Sequence, residues 1–308
     1  MKKVLITGIM GQDGTILNEI LKNEYEVHGV CRIDSEEIKL ENFKKKYCKN
    51  LHLIDLSKKN EVGEIIKKID PEIIINFAGE TNVINPWENV RETFEQNFFI
   101  VSNILEEIKK INTDIFFFQS SSSLMYARSN EIKIDENSNF SPMYPYGISK
   151  LSSHLLVNEY RKKFNIKCSS GIFFNHESPY RNEKFLSKKV SNFVKKILLG
   201  EDLKINLNNL NIYRDISHAE DFMKGVKIIV ENKVNEDFIF SSGELISMKK
   251  FVNLFFEMFN LNFEDYLIYS EENNETYKIY GDNSKLKSLG WNPEFRIEDL
   301  VRQMVEIS

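Results

Sequence analysis

A tyrosine and a lysine lie four positions apart in the segment Tyr146-Gly147-Ile148-Ser149-Lys150. Residues at this spacing share one face of a helix, and the preceding Pro145 suits a first helical turn. A tyrosine with its ordinary pKa of about 10 is a poor base at neutral pH. A nearby ammonium group, a helix N-terminus and the positive charge of an oxidised nicotinamide would all favour the phenolate, so we expect a lowered pKa for Tyr146. Taken alone, the motif also fits an incidental surface pair.

A run of four serines, Ser120 to Ser123, follows the apolar stretch Phe116-Phe117-Phe118 after one intervening residue, Gln119. A hydroxyl group at the end of that stretch can hydrogen-bond the same substrate oxygen that Tyr146 deprotonates. Ser122, Tyr146 and Lys150 together therefore predict a hydride-transfer site for alcohol and ketone chemistry.

Three glycines, Gly8, Gly11 and Gly14, follow the first apolar stretch of the chain and precede a helical pattern. Glycines at this spacing allow a tight turn and let the backbone approach a pyrophosphate, whose charge meets the helix N-terminus. A tight strand-to-helix turn without a ligand is the alternative. The position in the first strand–helix unit favours a dinucleotide site.

The choice between NAD and NADP depends on residues near the end of the second predicted strand, where Arg32 and Asp34 stand. No acid follows that strand directly to bond the ribose hydroxyls. Arg32 can bind a 2′-phosphate, whereas Asp34 opposes one. Asp55 and Leu56, after the third predicted strand, are placed to meet the adenine. The sequence thus favours NAD and does not exclude NADP.

These residues need a sheet that brings several strand ends together, and the first half of the chain has that pattern. Short apolar strands alternate with amphipathic helices, which is typical of a parallel sheet covered on both faces. We predict strands at 4–6, 26–31, 51–54, 73–77 and 115–118, with helices at 58–69 and 97–111. The fold class is a doubly wound parallel α/β (Rossmann) sheet over residues 1–172, with about 210–243 returning to it. Residues 173–209 and 244–308 form a smaller C-terminal lobe that binds substrate, and 175–185 is expected to be turn-like.

Composition narrows the class of protein further. The 308 residues are 42% hydrophobic and 28% charged, as in ordinary globular proteins, and the formal net charge is −5. This acidic balance excludes the basic surface of a dedicated nucleic-acid binder. The three cysteines lack the spacing of a zinc site or a disulfide framework. No apolar run suits a membrane span and no signal peptide is apparent, so we expect a cytoplasmic enzyme with no membrane partner.

Several longer motifs make the chain similar to a known family. They are Ile6-Thr7-Gly8-Ile9-Met10-Gly11-Gln12-Asp13-Gly14, Tyr144-Pro145-Tyr146-Gly147-Ile148-Ser149-Lys150, Phe174-Asn175-His176-Glu177-Ser178-Pro179, Asn209-Leu210, Arg214-Asp215, His218-Ala219, Gly281-Asp282 and Leu289-Gly290-Trp291. With these motifs, which span nearly the whole chain, the sequence resembles the extended short-chain dehydrogenase/reductases and, more closely, the GDP-mannose 4,6-dehydratase family.

The resemblance implies an NAD(P) cofactor, a GDP-sugar substrate, no bound metal and a homodimer packed through the helices after Asn97 and Pro145. The resemblance and the patterns of the glycine loop and strand ends together predict the cofactor-binding residues. They are Gly8, Gly11, Gln12, Asp13, Gly14, Arg32, Asp55, Leu56, Ala78, Tyr146 and Lys150. The corresponding substrate-binding residues are Thr81, Asn175, Glu177, Lys189, Asn209, Arg214 and Glu275. Arg181, Lys188 and Lys189 are equally compatible with a solvated helix face.

The chain departs from the family at the position of its catalytic base. Family members carry a glutamate that removes the C5 proton two residues after the hydroxyl residue, and here that position is Leu124. Leucine has no titratable group, so Ser122, Tyr146 and Lys150 suffice only for oxidation at C4. Glu80, in a loop that borders the active site in relatives, is a candidate replacement.

Two further departures from the family concern motifs that bind the nucleotide and the cofactor. The family's Arg-Pro-x-Glu motif reads Glu272-Asn273-Asn274-Glu275, and its Arg-Arg-Ser-Ser element is broken to Arg32-Ile33-Asp34-Ser35.

The sequence therefore predicts a GDP-sugar 4-dehydrogenase, acting on a manno-configured hexose or heptose in sugar-nucleotide biosynthesis for surface polysaccharides. A 4,6-dehydratase, a 4-keto-sugar reductase or epimerase, and a non-catalytic cofactor-binding sensor are the alternatives.

Overall fold

A computed structural model describes residues 1–81, 87–208, 210–270 and 277–307 of the chain. The strands are β1 (Lys2–Thr7), β2 (Tyr25–Cys31), β3 (Asn50–Leu53), β4 (Ile73–Asn76), β5 (Phe116–Ser122), β6 (Lys133–Ile134), β7 (Cys168–Phe173), β8 (Asn175–Glu177), β9 (Ile205–Asn208), β10 (Tyr213–Arg214), β11 (Ile216–His218), β12 (Phe238–Phe240), β13 (Ile246–Ser247), β14 (Leu267–Ser270) and β15 (Tyr280–Gly281). The α-helices are α1 (Gln12–Leu21), α2 (Glu37–Lys46), α3 (Lys59–Ile69), α4 (Val90–Phe94), α5 (Ile100–Ile111), α6 (Tyr144–Phe164), α7 (Leu186–Leu198), α8 (Ala219–Glu231), α9 (Met248–Glu257), α10 (Ser284–Ser288) and α11 (Ile297–Glu306).

Seven parallel strands form the main sheet in the order β12-β7-β5-β4-β1-β2-β3. The chain reverses its direction of travel across the sheet after β3, so the carboxyl ends of β1 and β4 flank a topological switch point, where ligands bind in such sheets. The predicted doubly wound α/β fold is therefore confirmed.

The strands form because their apolar runs are buried on both faces of the sheet. Ile73, Ile74 and Ile75 of β4 and Phe116 to Phe118 of β5 are at most 2% exposed. Helices α1 and α8 cover one face through a core that includes Leu17 and Phe222. Helices α3, α5 and α6 cover the other face. A strand covered on both sides reads as a continuous hydrophobic run, which is why periodicity located these strands.

Two predictions about local structure need correction. The linker between β2 and β3 contains helix α2, whose lysine-rich sequence buries only Leu40 and Phe43 and so carries a weak amphipathic signal. The stretch 175–185 is not all turn, because β8 forms there by pairing in parallel with β11. That pairing joins segments about 40 residues apart in sequence and leaves no local signature.

A third apolar cluster forms a core of its own in the second half of the chain. Helices α7, α9 and α11 pack around Phe251, Phe255 and Phe256, which are almost fully buried. Among the described residues, no helix combines the length and the hydropathy that crossing a bilayer requires.

Candidate active site

A row of polar side chains crosses the carboxyl edge of the sheet. The Thr7 hydroxyl donates to Asn76 Oδ1, and Asn76 Nδ2 donates to Gln119 Oε1 at 2.8 Å. Gln119 Nε2 in turn donates to the carbonyl of Ser120 at 2.7 Å. All three side chains are at most 1% exposed, so each bond satisfies a group that would otherwise be buried without a partner. The row fixes the Ser120 carbonyl in place.

The Ser120 carbonyl is the acceptor for the lysine of the predicted site. Lys150 Nζ donates to it at 2.8 Å, and the same Nζ lies 5.9 Å from the centre of the Tyr146 ring. The side chains of Ser122 and Thr81 lie close enough to the Tyr146 hydroxyl to lower its pKa. The structure thus brings Ser122, Tyr146 and Lys150 together, with Thr81 beside them.

Helix α6 delivers both Tyr146 and Lys150 to this point. The helix begins at Tyr144, whose φ of 62° lies in the left-handed region, with Pro145 in the first turn. Gly147 lets α6 lie close to the turn after β5, because a Cβ there would come 2.7 Å from the Leu124 carbonyl oxygen. This close approach sets Tyr146 against the end of β5.

Burial dominates the electrostatics of the tyrosine and the lysine. Burial raises the pKa of Tyr146 above its ordinary value, although hydrogen bonds from Ser122 and Thr81 and the charge of Arg181 act to lower it. The expectation of a lowered pKa included the charge of an oxidised nicotinamide, which the protein by itself does not provide. Burial also lowers the pKa of Lys150 to about 8. Ionisation of Tyr146 at neutral pH thus needs a further positive charge, which an oxidised nicotinamide supplies when bound.

The glycine loop fits a pyrophosphate. Gly8 has a φ of +66°, and a Cβ on Gly14 would lie 2.5 Å from Ile9 Cα, so both positions require glycine. A Cβ on Gly11 would meet only the Gly8 oxygen, at 3.2 Å, which leaves the outer side of the loop open. Gly11 is also the N-cap of α1 and provides no side chain to cap the first turn. The N-terminus of α1 is thereby available to an anionic group.

The residues predicted to meet the rest of the cofactor lie along the same edge. Arg32 is paired with Asp34 through Nε at 3.1 Å and an NH2 contact at 2.9 Å. Asp55 accepts from the Ser57 backbone and hydroxyl, which lowers the pKa of Asp55. The Leu56 side chain is buried in the core, and the Ala78 backbone N–H donates to the Thr7 hydroxyl. Because the Arg32 charge is already balanced by Asp34, the site offers little to a 2′-phosphate.

Leu124 lies beside the reacting groups. Its backbone N–H donates to the Ser122 hydroxyl at 3.2 Å, and its side chain packs with Ala127, Met143 and Tyr146. Only 9% of the residue is exposed. An aliphatic side chain therefore borders Tyr146, with Tyr144 and Tyr277 packed against the same cluster. The backbone carbonyl of Glu80 accepts a hydrogen bond from Asn97 Nδ2 at 3.0 Å.

The predicted substrate residues are placed in different ways. Glu177 is buried, accepts from the Ser187 hydroxyl at 2.6 Å and lies 3.0 Å from Arg181 Nε. Asn175 is half-buried at the start of β8, whereas Lys189 is exposed on α7. Asn209 and Glu275 lie outside the described residues.

Arg214 is held by a residue that sequence reasoning missed. Its NH1 donates to the carbonyls of Tyr213 and Tyr277, and its guanidinium stacks over the Tyr277 ring at 3.8 Å. This arrangement constrains the guanidinium and leaves its other donors for a ligand. Tyr277 follows a polar stretch and has no periodic signal, so the sequence alone did not reveal it.

The polar row Thr7, Asn76 and Gln119 was also missed, although each residue directly follows an apolar run and so carried a usable signal. Within the described ranges, no group of three or more His, Cys, Asp or Glu side chains is placed to hold a metal ion.

A doubly wound sheet with a glycine loop and a Ser–Tyr–Lys cluster at its carboxyl edge defines the extended short-chain dehydrogenase/reductase class. Two solved structures share the fold over 99% of this chain. One is RMD from Pseudomonas aeruginosa complexed with NADPH (18% identity, TM-score 0.83, 98% of that chain). The other is a Thermus thermophilus UDP-glucose 4-epimerase complexed with NAD (19% identity, TM-score 0.86, 98% of that chain).

Sequence comparison defines the family more narrowly. The model of the family described as GDP-mannose 4,6 dehydratase matches residues 5–304. The human GDP-mannose 4,6 dehydratase is 31% identical over 337 residues, which cover 98% of this chain and 90% of that protein. The chain belongs to the GDP-mannose 4,6 dehydratase family, as its motifs indicated.

Proposed function

We propose that the protein oxidises a GDP-sugar at C4 to the 4-keto sugar, with NAD as acceptor and without loss of water. The observation that carries this proposal is Leu124, an aliphatic side chain packed against Tyr146 where the resemblance implies a glutamate. Oxidation needs one base at the carbinol oxygen, whereas dehydration needs a second base at the neighbouring ring carbon. The described site offers the first at Tyr146.

In this reaction the chain's own groups handle the proton and the orientation. A bound oxidised nicotinamide would supply the hydride acceptor for the carbinol carbon. The Tyr146 phenolate takes the hydroxyl proton, and the Ser122 hydroxyl orients the substrate oxygen. Lys150, held by the Ser120 carbonyl, keeps positive charge near the tyrosine. Without an elimination step, the reduced cofactor leaves or is reoxidised by a second substrate.

The proposed ligands follow from the charges of the site. The bond of Arg32 to Asp34 supports NAD over NADP. Family membership and the constrained Arg214 support a GDP-sugar, whose diphosphate needs local cations in an acidic protein. We propose that the core built on α7, α9 and α11 holds the nucleotide end, as in the predicted domain division.

The second candidate is 4,6-dehydration, which is favoured by the names of relatives near 30% identity. It requires another carboxylate, such as Glu80, to reach the ring carbon beside the carbinol. One assay separates the two functions. The protein is incubated with NAD and GDP-mannose, NADH is followed by absorbance, and products are identified by mass spectrometry.

We expect NADH to form in step with a product that has lost only hydrogen. A product that has lost water, with no net NADH, would refute the dehydrogenase. In that case Glu80→Gln, with exposed Glu88→Gln as control, tests whether Glu80 is the displaced acid.

Restoring the missing acid tests the role of Leu124 directly. In Leu124→Glu we expect dehydrated product to appear, because a positioned base contributes about 100-fold or more to proton removal. Leu124→Gln is the matched control, since it has a similar shape and no titratable group. Equal product distributions in the two variants would show that position 124 does not decide the outcome.

A further inference from the structure

The side chains of Gln12 and Asp13, in the glycine loop, are bonded to a distant segment of the chain. His176 Nε2 lies 3.0 Å and 3.1 Å from the two Asp13 carboxylate oxygens. Gln12 Nε2 donates to the His176 carbonyl at 3.2 Å, and the Ser178 hydroxyl donates to Gln12 Oε1 at 2.8 Å. Two adjacent loop residues thus bond residues more than 160 positions later.

The His176–Asp13 contact is an ion pair. Nδ1 of His176 donates to the Phe174 carbonyl at 2.8 Å, so a hydrogen bond from Nε2 to the carboxylate requires a second ring proton. Burial opposes the charged ring, but the charge and hydrogen bond of Asp13 outweigh it and raise the pKa of His176. Burial likewise opposes ionisation of Asp13, but His176 holds the pKa of Asp13 below its ordinary value. The imidazolium also lies against the aromatic rings of Phe173 and Phe222.

The segment that carries His176 reaches both halves of the site. It starts at Phe173, which pairs in register with Ser122 at the carboxyl edge. It ends near Arg181, whose charge acts on both Asp13 and Tyr146. Asn175 and Glu177, which the resemblance implies bind substrate, flank His176 on β8, so a substrate on this strand and a pyrophosphate at the glycine loop would contact opposite ends of one bonded unit.

We propose that the Asp13–His176 ion pair, supported by the Gln12–Ser178 hydrogen bond, couples the cofactor site to the nucleotide-sugar site. Each ligand then binds more tightly when the other is present, by the same factor in both directions. The proposal rests on the proposed function, because it requires a nucleotide at the second site. Asp13 and His176 are positioning residues that join the first turn of α1 to strand β8. They do not react with substrate or cofactor.

The test is a pair of calorimetric titrations of the full-length protein, NAD with and without saturating GDP, and GDP with and without saturating NAD. In the wild type we expect each ligand to tighten the other by about 5-fold or more, within the usual range of coupling between sites. Asp13→Asn keeps a hydrogen-bonding group of the same size but removes the charge, so the coupling factor should fall towards one.

Ser178→Ala is a milder second variant, which should lower the coupling factor partly while leaving the ion pair intact. The matched control is His28→Asn, because His28 is also half-buried and bonded to a carboxylate, Glu26, at 2.9 Å on strand β2. The control should keep the full coupling factor. Thermal melts of all three variants verify that they are folded.

The outcomes separate this proposal from the proposed function. The coupling alone would be overturned if both ligands bind the wild type with no effect on each other. It would also be overturned if Asp13→Asn and Ser178→Ala keep the coupling factor of the wild type. Failure of GDP to bind the wild type would overturn both, because no nucleotide site would remain to be coupled.

Discussion

The lysine of the site has a pKa that should be visible in the activity. Burial lowers the pKa of Lys150 to about 8, so its ammonium loses its proton just above physiological pH. Tyr146, whose pKa is raised, gains reactivity as pH rises. The two opposite trends cancel above pH 8, so they predict an oxidation rate that rises with pH and then levels off.

We expect the rate to rise with pH up to about 8, because the phenolate fraction of Tyr146 grows, and to level off above pH 8, because loss of the Lys150 ammonium cancels that gain. Initial rates of NADH formation across the pH range measure this profile. Lys150→Arg keeps a charged group at all accessible pH values, so its rate should continue to rise above about pH 8. The same levelling near pH 8 in this variant would assign it to another group.

At the scale of elements, the site depends on how closely α6 approaches the turn after β5. A methyl group at position 147 would sit 2.7 Å from the Leu124 carbonyl oxygen, which is backbone and cannot rotate away. Gly147→Ala should therefore cost about 1 to 3 kcal/mol of stability, as overpacking does. Because α6 carries Tyr146 and Lys150, the turnover number should fall more than ligand binding does.

Thermal unfolding and the comparison of turnover number with Michaelis constant measure these two effects. Ser152→Ala on the same helix is the control, since its hydroxyl bonds only its own helix at Ile148. A Gly147→Ala protein with wild-type stability and turnover would show that the helix can shift without harm.

At the scale of the whole molecule, Asp215 links three parts of the chain. It accepts from the Ser242 and Gly243 backbone, the Ser242 hydroxyl and the Gly281 backbone while only 1% exposed. Asp215→Asn replaces one acceptor by a donor, so at least one buried N–H loses its partner. The loss should cost about 1 to 3 kcal/mol.

The pH dependence of that cost has a definite sign. Burial raises the pKa of Asp215 to about 6, above the ordinary 3.8 of an aspartate, so the folded state binds the proton more tightly. The contribution of wild-type Asp215 to stability therefore declines as pH rises from about 4 to 6. Denaturant unfolding of wild type and Asp215→Asn should show their difference shrinking over this interval. A difference that grows with pH would contradict the raised pKa.

The predicted homodimer is also a property of the whole molecule. Ile148 and Leu155, seven residues apart on α6, are 42% and 47% exposed, and nearby Phe99 is 50% exposed. Leu151 and Leu156 pack instead against the protein's own core clusters. We propose that a second copy covers this exposed face, which would account for the outward-facing apolar groups.

Leu155→Glu should shift the protein to monomer in light scattering coupled to size-exclusion chromatography. Leu199→Glu, at an exposed leucine after α7, is the control and should not. A wild-type protein that elutes as a monomer would refute the dimer.

The sequence by itself determined the strands, the glycine loop and the Ser–Tyr–Lys set, because each rests on local pattern. Strands buried on both faces must be apolar throughout, and Tyr146 and Lys150 share a helix face at a spacing that any helix imposes. The family motifs added residues spread along the chain, and the family was confirmed.

Only the tertiary structure decided how these residues are paired. The Asp13–His176 ion pair, the β8–β11 pairing and the stacking of Arg214 on Tyr277 join residues from 41 to 163 positions apart. Local periodicity carries no information about such contacts. The raised pKa of Tyr146 has the same origin, because burial depends on what α6, β5 and their neighbours exclude together, and not on the residues next to Tyr146 in the chain.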